Sequence, residues 1–315
     1  MTKTNASMTS APTAKLVGLV AATHSPFHVD GSLNLSAVER QAAHLLASGV
    51  ETAFICGSTG ESHSLRVEER LALAERWTAV ARGTGLRVVV HVGSNCLADA
   101  RVLAAQAQEL GATAIAALAP SYFKPRSLDT LVACCAEVAG AAPGVPFYFY
   151  DIPVMTGVQF SMSDFLEMAA DRVPTLAGIK FTNSDLMSYQ RCLRAGDGRF
   201  DIPWGVDEYL LAALALGAQG AVGSSYNFAA PIYRRVIEAF RRGDMEAARA
   251  EQFRSVRLIT LLAGYGYMGA AKAVMGFLGV DVGPARLPNG NLGAEEVRKL
   301  RSDLEGMGFF EWVKN

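Results

Sequence analysis

Short runs of apolar, mostly β-branched or aromatic residues alternate along this chain with longer segments whose apolar positions recur at helical spacing. The runs are LVGLVAAT, TAFICGST, RVVVHVGS, AIAALAP, PFYFYDIP, LAGIKFTN, PWGVDE and GAVGSS, and they end near Thr23, Thr59, Ser94, Pro120, Pro153, Thr182, Asp207 and Ser224. The quasi-period is about thirty residues, the length of a βα unit. Strands that alternate with helices pair in parallel.

Between the runs, LSAVERQAAHLLASG typifies the helical segments. Val38, Ala42, Leu45 and Leu46 share one face, Ser36 is predicted to cap the start, and Gly49 to end the helix. Seven such units and a final strand predict an α/β fold, a (β/α)₈ TIM barrel, and not a doubly wound sheet, since no G-x-G-x-x-G follows the first strand. After Ser224 only helical patterns follow, in PIYRRVIEAFRRG, DMEAARAEQFRSVRLITLLAG, YMGAAKAVMGFLG and a last helix near 294 to 306. The predicted organisation is a frayed tail at 1–14, a catalytic barrel at 15–230 and a C-terminal helical extension at 231–315 packed on the barrel.

Composition narrows the partners. Of 315 residues, 50% are hydrophobic and 19% charged, enough apolar material for a large core. A net charge of −1 with no long basic run leaves no electrostatic footprint for nucleic acid or an anionic membrane surface, so a small-molecule partner is expected. Cys56, Cys96, Cys134, Cys135 and Cys192 are too few and of the wrong parity for a disulfide framework, which fits a reducing cytoplasm. The first fourteen residues, MTKTNASMTSAPTA, are polar and lack a signal sequence's apolar stretch, and no apolar run approaches the roughly 20 residues of a membrane span.

In barrel enzymes chemistry sits at the C-terminal ends of the strands. There, LAGIKFTN sets a lysine inside an apolar strand. A period of two puts Gly178, Lys180 and Thr182 on one face, with Ile179 and Phe181 turned to the helices. A strand lysine is more often structural, neutralised by a carboxylate or reaching water. Near the mouth of the lumen, however, desolvation lowers an ammonium pKa, and a neutral amine attacks carbonyl carbon.

Other strand ends add polar groups. FYFYDIP places Tyr148 and Tyr150 on one face, beside the lysine strand. The turn CGSTGES carries Ser58 and Thr59, whose backbone N–H groups can hold a carboxylate, although a plain tight turn has the same look. WGVDE offers Asp207 and Glu208, alternately directed in a strand but both available to a polyol from a loop. A metal-dependent hydrolase or class II aldolase would draw on His24, His28, His63 and His91, yet no H-x-H or H-E-x-x-H occurs. A non-catalytic ligand sensor on the same barrel is opposed by the intact Lys, Tyr, Ser and Thr set.

Taken in order, GSTGE at 57 to 61, YDIP at 150 to 153 and GIKFT at 178 to 182 resemble the carboxylate turn, the Tyr-x-x-Pro element and the Schiff-base strand of the N-acetylneuraminate lyase and dihydrodipicolinate synthase family of class I aldolases. The resemblance spans nearly the whole chain. It implies that Lys180 forms an imine with a 2-keto acid, that Tyr150 moves the proton, and that Ser58, Thr59 and Thr182 bind substrate without metal or cofactor. GVDE at 205 to 208 and GAVGSSYN at 220 to 227 resemble the lyase segments that hold a sugar's hydroxyl-rich tail, which implicates Gly205, Asp207, Glu208 and Ser224. Synthases usually carry an arginine two residues after the proline of YDIP, where this chain has Met155; the implied activity is therefore cleavage of N-acetylneuraminate to pyruvate and N-acetylmannosamine, with a synthase or another 2-keto-3-deoxy acid aldolase as the alternative. Asp151 departs from the Asn or His common at its position, and His63 follows the GSTGES turn. The family trait of a tyrosine inserted from a neighbouring subunit points to Tyr122 and implies a homotetramer, a dimer of dimers.

Overall fold

The alternating runs become strands of one parallel sheet in the computed structural model, which describes residues 15–314. The expected tail at 1–14 lies outside the described residues. The strands are β1 (Gly18–Ala22), β2 (Thr52–Ile55), β3 (Arg87–His91), β4 (Ala114–Leu118), β5 (Phe147–Asp151), β6 (Leu176–Phe181) and β7 (Gly220–Gly223), in the spatial order β6-β5-β4-β3-β2-β1-β7.

The eighth stave is not a regular strand. Trp204 bridges Phe181 on one side and Ala221 on the other. Its N–H donates to Gly220 O at 2.9 Å, while Phe181 N donates to Pro203 O at 2.9 Å. PWGVDE therefore closes the barrel as expected, but through isolated bridges: Pro203 has no N–H to continue a ladder, and Asp207 already opens a 3₁₀ turn.

Alternation separates two faces. Leu19, Ala21, Ile55, Val90, Phe149 and Ile179 pack outward against the helices. Val20, Ala22, Phe54, Val89, Tyr148 and Tyr150 fill the lumen. Between Phe147 and Tyr148 the register of β5 with β6 shifts, and Ala177 joins the lumen cluster. The strict alternation predicted back from Lys180 through Gly178 thus stops at a bulge.

The helices follow as α1 (Val38–Ala47), α2 (Val67–Ala81), α3 (Leu97–Glu109), α4 (Leu128–Gly140), the single turn α5 (Pro153–Thr156), α6 (Met162–Ala169), α7 (Leu186–Arg194), α8 (Leu210–Leu216), α9 (Tyr226–Arg241), α10 (Met245–Gly264), α11 (Met268–Phe277), α12 (Ala294–Met307) and the short α13 (Phe309–Trp312). In α1 the predicted face forms, with Val38, Ala42 and Leu45 buried. Ser36 does not cap it. The residue lies inside a preceding 3₁₀ turn, and its hydroxyl donates to Asn34 Oδ1 at 2.7 Å.

Helix α9 packs on β1 and runs through position 230, so the division expected at 230/231 cuts a barrel helix. The extension begins instead with α10, which packs along α9 and α8. From α10, Gln252 Oε1 accepts from Leu211 N at 2.7 Å and Nε2 donates to Asp207 O at 3.2 Å. The extension is hydrogen-bonded to a strand end that faces the lumen. Among the described residues, no single helix is long and apolar enough to cross a membrane.

Candidate active site

Lys180 and Tyr150 are register partners across β6 and β5. Both are buried, and Lys180 Nζ lies 3.7 Å from the centroid of the Tyr150 ring and 4.1 Å from that of Phe54. Two aromatic faces replace water around the nitrogen. Burial pushes the Lys180 ammonium down to about 7, and the charge of Asp207 opposes that shift. At neutral pH a large fraction of the amine is therefore unprotonated.

The Tyr150 phenol lies 3.3 Å from Ser58 Oγ. Burial pushes it up to about 12, against the hydroxyls of Ser58 and Thr182, so it is a protonated phenol at neutral pH. Phe54 and His91 each meet its ring edge-to-face at 5.8 Å between centroids. Phe54 was not singled out from the sequence, though it lies on the inward phase of β2 and could have been, and His91 was named there only as a possible metal ligand.

The Ser58–Thr59 turn is tightly braced. Cys56 and Glu61 both adopt left-handed φ angles, 57° and 55°. Glu61 N donates to Ser58 O at 3.0 Å, Ser62 N to Gly57 O at 3.2 Å, and Ser25 Oγ to Gly60 O at 2.6 Å. His91 Nδ1 donates to Cys56 O at 2.9 Å, and Arg70 in turn donates to His91 O and Gly93 O at 2.8 and 2.9 Å. The N–H groups of Ser58, Thr59 and Gly60 donate to no acceptor among the described residues. Three adjacent free donors suit a carboxylate.

Elsewhere on the same rim, Asp207 is buried and Glu208 half-buried. Asp207 Oδ2 accepts from Ser225 N at 2.9 Å and from the Ser225 hydroxyl, while Oδ1 faces Gly223, where a Cβ would come within 1.8 Å. Burial pushes Asp207 up to about 6. Gly205 is equally constrained, since a Cβ there would lie 2.0 Å from Thr182 Oγ1. Glycine is the residue that lets this strand end pass the hydroxyl beside Lys180.

Ser224 Oγ lies 2.7 Å from the hydroxyl of Tyr267, a residue with φ 32° just before α11. Tyr267 is half-buried, and desolvation, together with the charge of Asp207, helps hold its phenol protonated. Nothing in the sequence near GYGYMG signals a lumen position; the placement depends on how the extension docks.

Tyr122 is not among these residues. It stands 78% exposed beside Phe123, with its N–H donating to Asn95 Oδ1 at 3.1 Å. The candidate histidines do not converge either: among the described residues no three His, Cys, Asp or Glu side chains are grouped to hold a metal. Asp151 is buried with one long contact, Asn183 Nδ2 donating at 3.4 Å, and burial pushes its carboxyl up to about 7.

A (β/α)₈ barrel with a desolvated lysine and a phenol paired in its lumen defines a class of proteins built for chemistry on small carbonyl compounds. The particular lineage follows from comparison: residues 15–307 match the dihydrodipicolinate synthetase family, and the chain belongs to that family. It is 39% identical over 300 residues to N-acetylneuraminate lyase of Gallus gallus, covering 94% of this chain and 97% of that protein. Among solved structures, Proteus mirabilis N-acetylneuraminate lyase superimposes with a TM-score of 0.90 at 40% identity, covering 93% of this chain and 98% of the other. The N-acetylneuraminate lyase (sialic acid aldolase) of Aliivibrio salmonicida also gives 0.90, at 42% identity over 93% and 97% of the two chains.

Proposed function

We propose that this protein is a Schiff-base aldolase that cleaves N-acetylneuraminate to pyruvate and N-acetylmannosamine. The observation that carries the reading is the Lys180 amine, buried between Phe54 and Tyr150 with its pKa pushed down to about 7. Substantial identity to lyases over nearly the full chain supports the choice of substrate.

Neutral Lys180 adds to the C2 carbonyl of the open-chain sugar acid, and loss of water leaves an iminium. The Tyr150 phenol gives its proton to the hydroxyl that leaves as the iminium forms, and the resulting phenolate takes the proton of the C4 hydroxyl as the C3–C4 bond breaks and its electron pair moves into the iminium. The aldehydo sugar departs, the enamine is protonated at C3, and hydrolysis returns pyruvate and the free amine. Ser58, Thr59 and the adjacent N–H groups receive the substrate carboxylate, Thr182 bonds from the lysine's face, and Gly205, Asp207, Glu208 and Ser224 meet the hydroxyl-rich tail. All the groups in this sequence of steps belong to the chain or the substrate.

The same reading takes the assembly as a homotetramer in which Tyr122 of one subunit completes a neighbour's site; its 78% exposure on a loop leaves it available for that role. Five free cysteines accord with a reducing cytoplasm.

Borohydride reduction in the presence of pyruvate, followed by peptide mass mapping, tests the reading. The adduct is expected on Lys180. An adduct on another lysine, or no adduct, would falsify the imine. Cleavage of N-acetylneuraminate measured against condensation of pyruvate with aspartate semialdehyde then separates lyase from synthase.

A further inference from the structure

Beneath the carboxylate-binding turn lies an ion pair that the chemistry above does not use. Lys272 of α11 and Glu61, the last residue of GSTGE, meet at 2.7 Å with side chains only 2% and 0% exposed. Lys272 Nζ also donates to Ser25 O at 2.9 Å and Pro284 O at 2.8 Å, and sits 4.4 Å over the Phe27 ring. The second Glu61 oxygen accepts from Arg286 N at 2.8 Å and Asn289 Nδ2 at 3.3 Å.

Arg286 extends the network. Its guanidinium grips both oxygens of Glu69 at 2.6 and 2.7 Å, donates to Gly31 O and Ser64 O, and covers the other approach to Phe27 at 4.2 Å. Apart from the bond to Pro284 O inside the extension, these contacts join the C-terminal extension to the loops after β1 and β2 and, through Glu69, to the start of α2. A buried ion pair costs desolvation energy that apolar packing would not, so it adds little stability over an apolar pair of the same shape. What it does provide is direction. Glu61 is held in a left-handed conformation, and its N–H is hydrogen-bonded to Ser58 O, so the carboxylate's position is transmitted to the turn that aims the Ser58, Thr59 and Gly60 donors.

We propose that Lys272, Arg286 and Glu61 are positioning residues of the aldolase: they lock the Ser58–Thr59 turn from the extension's side and thereby set the affinity for the 2-keto acid's carboxylate. The inference rests on the function proposed above. The extension, through Lys272 and Arg286, is on this account part of the carboxylate site, although neither residue is among those assigned to touch substrate.

The test is borohydride trapping of pyruvate on the full-length enzyme, with half-saturating pyruvate and the limiting trapping rate read separately. Lys272→Met and Glu61→Gln are each expected to raise half-saturating pyruvate at least about tenfold while the limiting rate stays within about threefold, because Lys180 and its aromatic neighbours are untouched. A double variant, Glu61→Gln with Lys272→Gln, restores a neutral hydrogen-bonded pair and should recover part of the loss. Leu300→Ala, which opens a cavity inside α12 away from the turn, is the stability control; it should lower the unfolding temperature and leave half-saturating pyruvate unchanged. Should the core variants fail to fold, Arg286→Lys, which keeps the charge and loses the two-pronged grip on Glu69, is expected to raise half-saturating pyruvate about threefold or more. Wild-type half-saturation in a folded Lys272→Met, Glu61→Gln or Arg286→Lys protein would overturn the proposal, whatever happened to its unfolding temperature. If the wild-type enzyme itself traps no pyruvate on Lys180, the aldolase reading fails first, and this one falls with it.

Discussion

Tyr150 and Lys180 face each other directly across β5 and β6, with the lysine nitrogen 3.7 Å from the centroid of the phenol ring. The pairing is set by sheet register and so is rigid on the scale that proton transfer requires. It keeps an amine that must be neutral beside a phenol that must be protonated, and burial drives both toward those states.

The first consequence is a pH dependence. The neutral amine is the attacking form, so kcat/KM for cleavage should rise with pH through a midpoint at about 7. Asp207 favours the ammonium; Asp207→Asn should therefore move that midpoint to lower pH as well as weaken sugar binding. Initial rates from about pH 5 to 9 decide it, and a midpoint remaining near the ordinary lysine value of 10.5 would rule out the desolvated nucleophile.

Tyr150→Phe keeps the ring that shields Lys180 and removes only the phenolic proton carrier. We expect kcat for cleavage to fall by about 10²- to 10⁴-fold, while borohydride with pyruvate still labels Lys180. An unchanged kcat would take the tyrosine out of the reaction.

The lysine should cost the fold stability. Its pKa is about 7 in the folded protein against 10.5 as the ordinary value, so between those values the unfolded chain binds the extra proton and stability rises with pH. Lys180→Met should accordingly be more stable than wild type by about 2 to 4 kcal/mol near pH 7, with the gain shrinking toward pH 10. Denaturant midpoints at the two pH values measure it; a gain that is the same at both would contradict desolvation as its source.

Asp151 shows the opposite sign. Its folded pKa is raised to about 7 from 3.8, so stability falls as pH climbs through that interval. Asp151→Asn, isosteric and able to pair with Asn183, should raise the unfolding temperature at about pH 8 and leave it nearly unchanged at about pH 4. Equal effects at both would mean that packing, and not ionisation, governs the site.

Tyr267→Phe removes the hydroxyl that lies 2.7 Å from Ser224 and leaves the ring in place. Because that hydroxyl meets Ser224, which is assigned to the sugar's tail, the change should raise KM for the sugar acid about tenfold and leave half-saturating pyruvate in the trapping assay where it was. A shift in both would move Tyr267 from the sugar end of the site to the keto-acid end.

Much of this site was legible in the sequence. Period-two alternation turns Lys180 and Tyr150 inward without reference to any distant residue, and in a parallel barrel strand ends gather at one rim, which brings the GSTGE turn and Asp207 into view. Alternation failed where local chemistry intervened: at Pro203, which cannot carry a ladder and leaves the eighth stave as bridges, and at Ala177, where a bulge shifts the register. Ser36 looked like a cap because its type and position fit, yet the 3₁₀ turn before α1 puts its hydroxyl on Asn34.

By itself, then, the sequence determined the α/β repeat, the faces of the strands, and a lysine, a phenol and a glycine-rich turn placed to meet, because these follow from local periodicity and from where strands end. Only the tertiary structure decided that Phe54 and Tyr150 enclose the Lys180 nitrogen, that α9 belongs to the barrel, and that Tyr267, Lys272 and Arg286 reach back from the extension to the site. Those contacts join residues more than two hundred positions apart in the case of Lys272 and Glu61, and no local pattern encodes which face of a docking helix meets which loop.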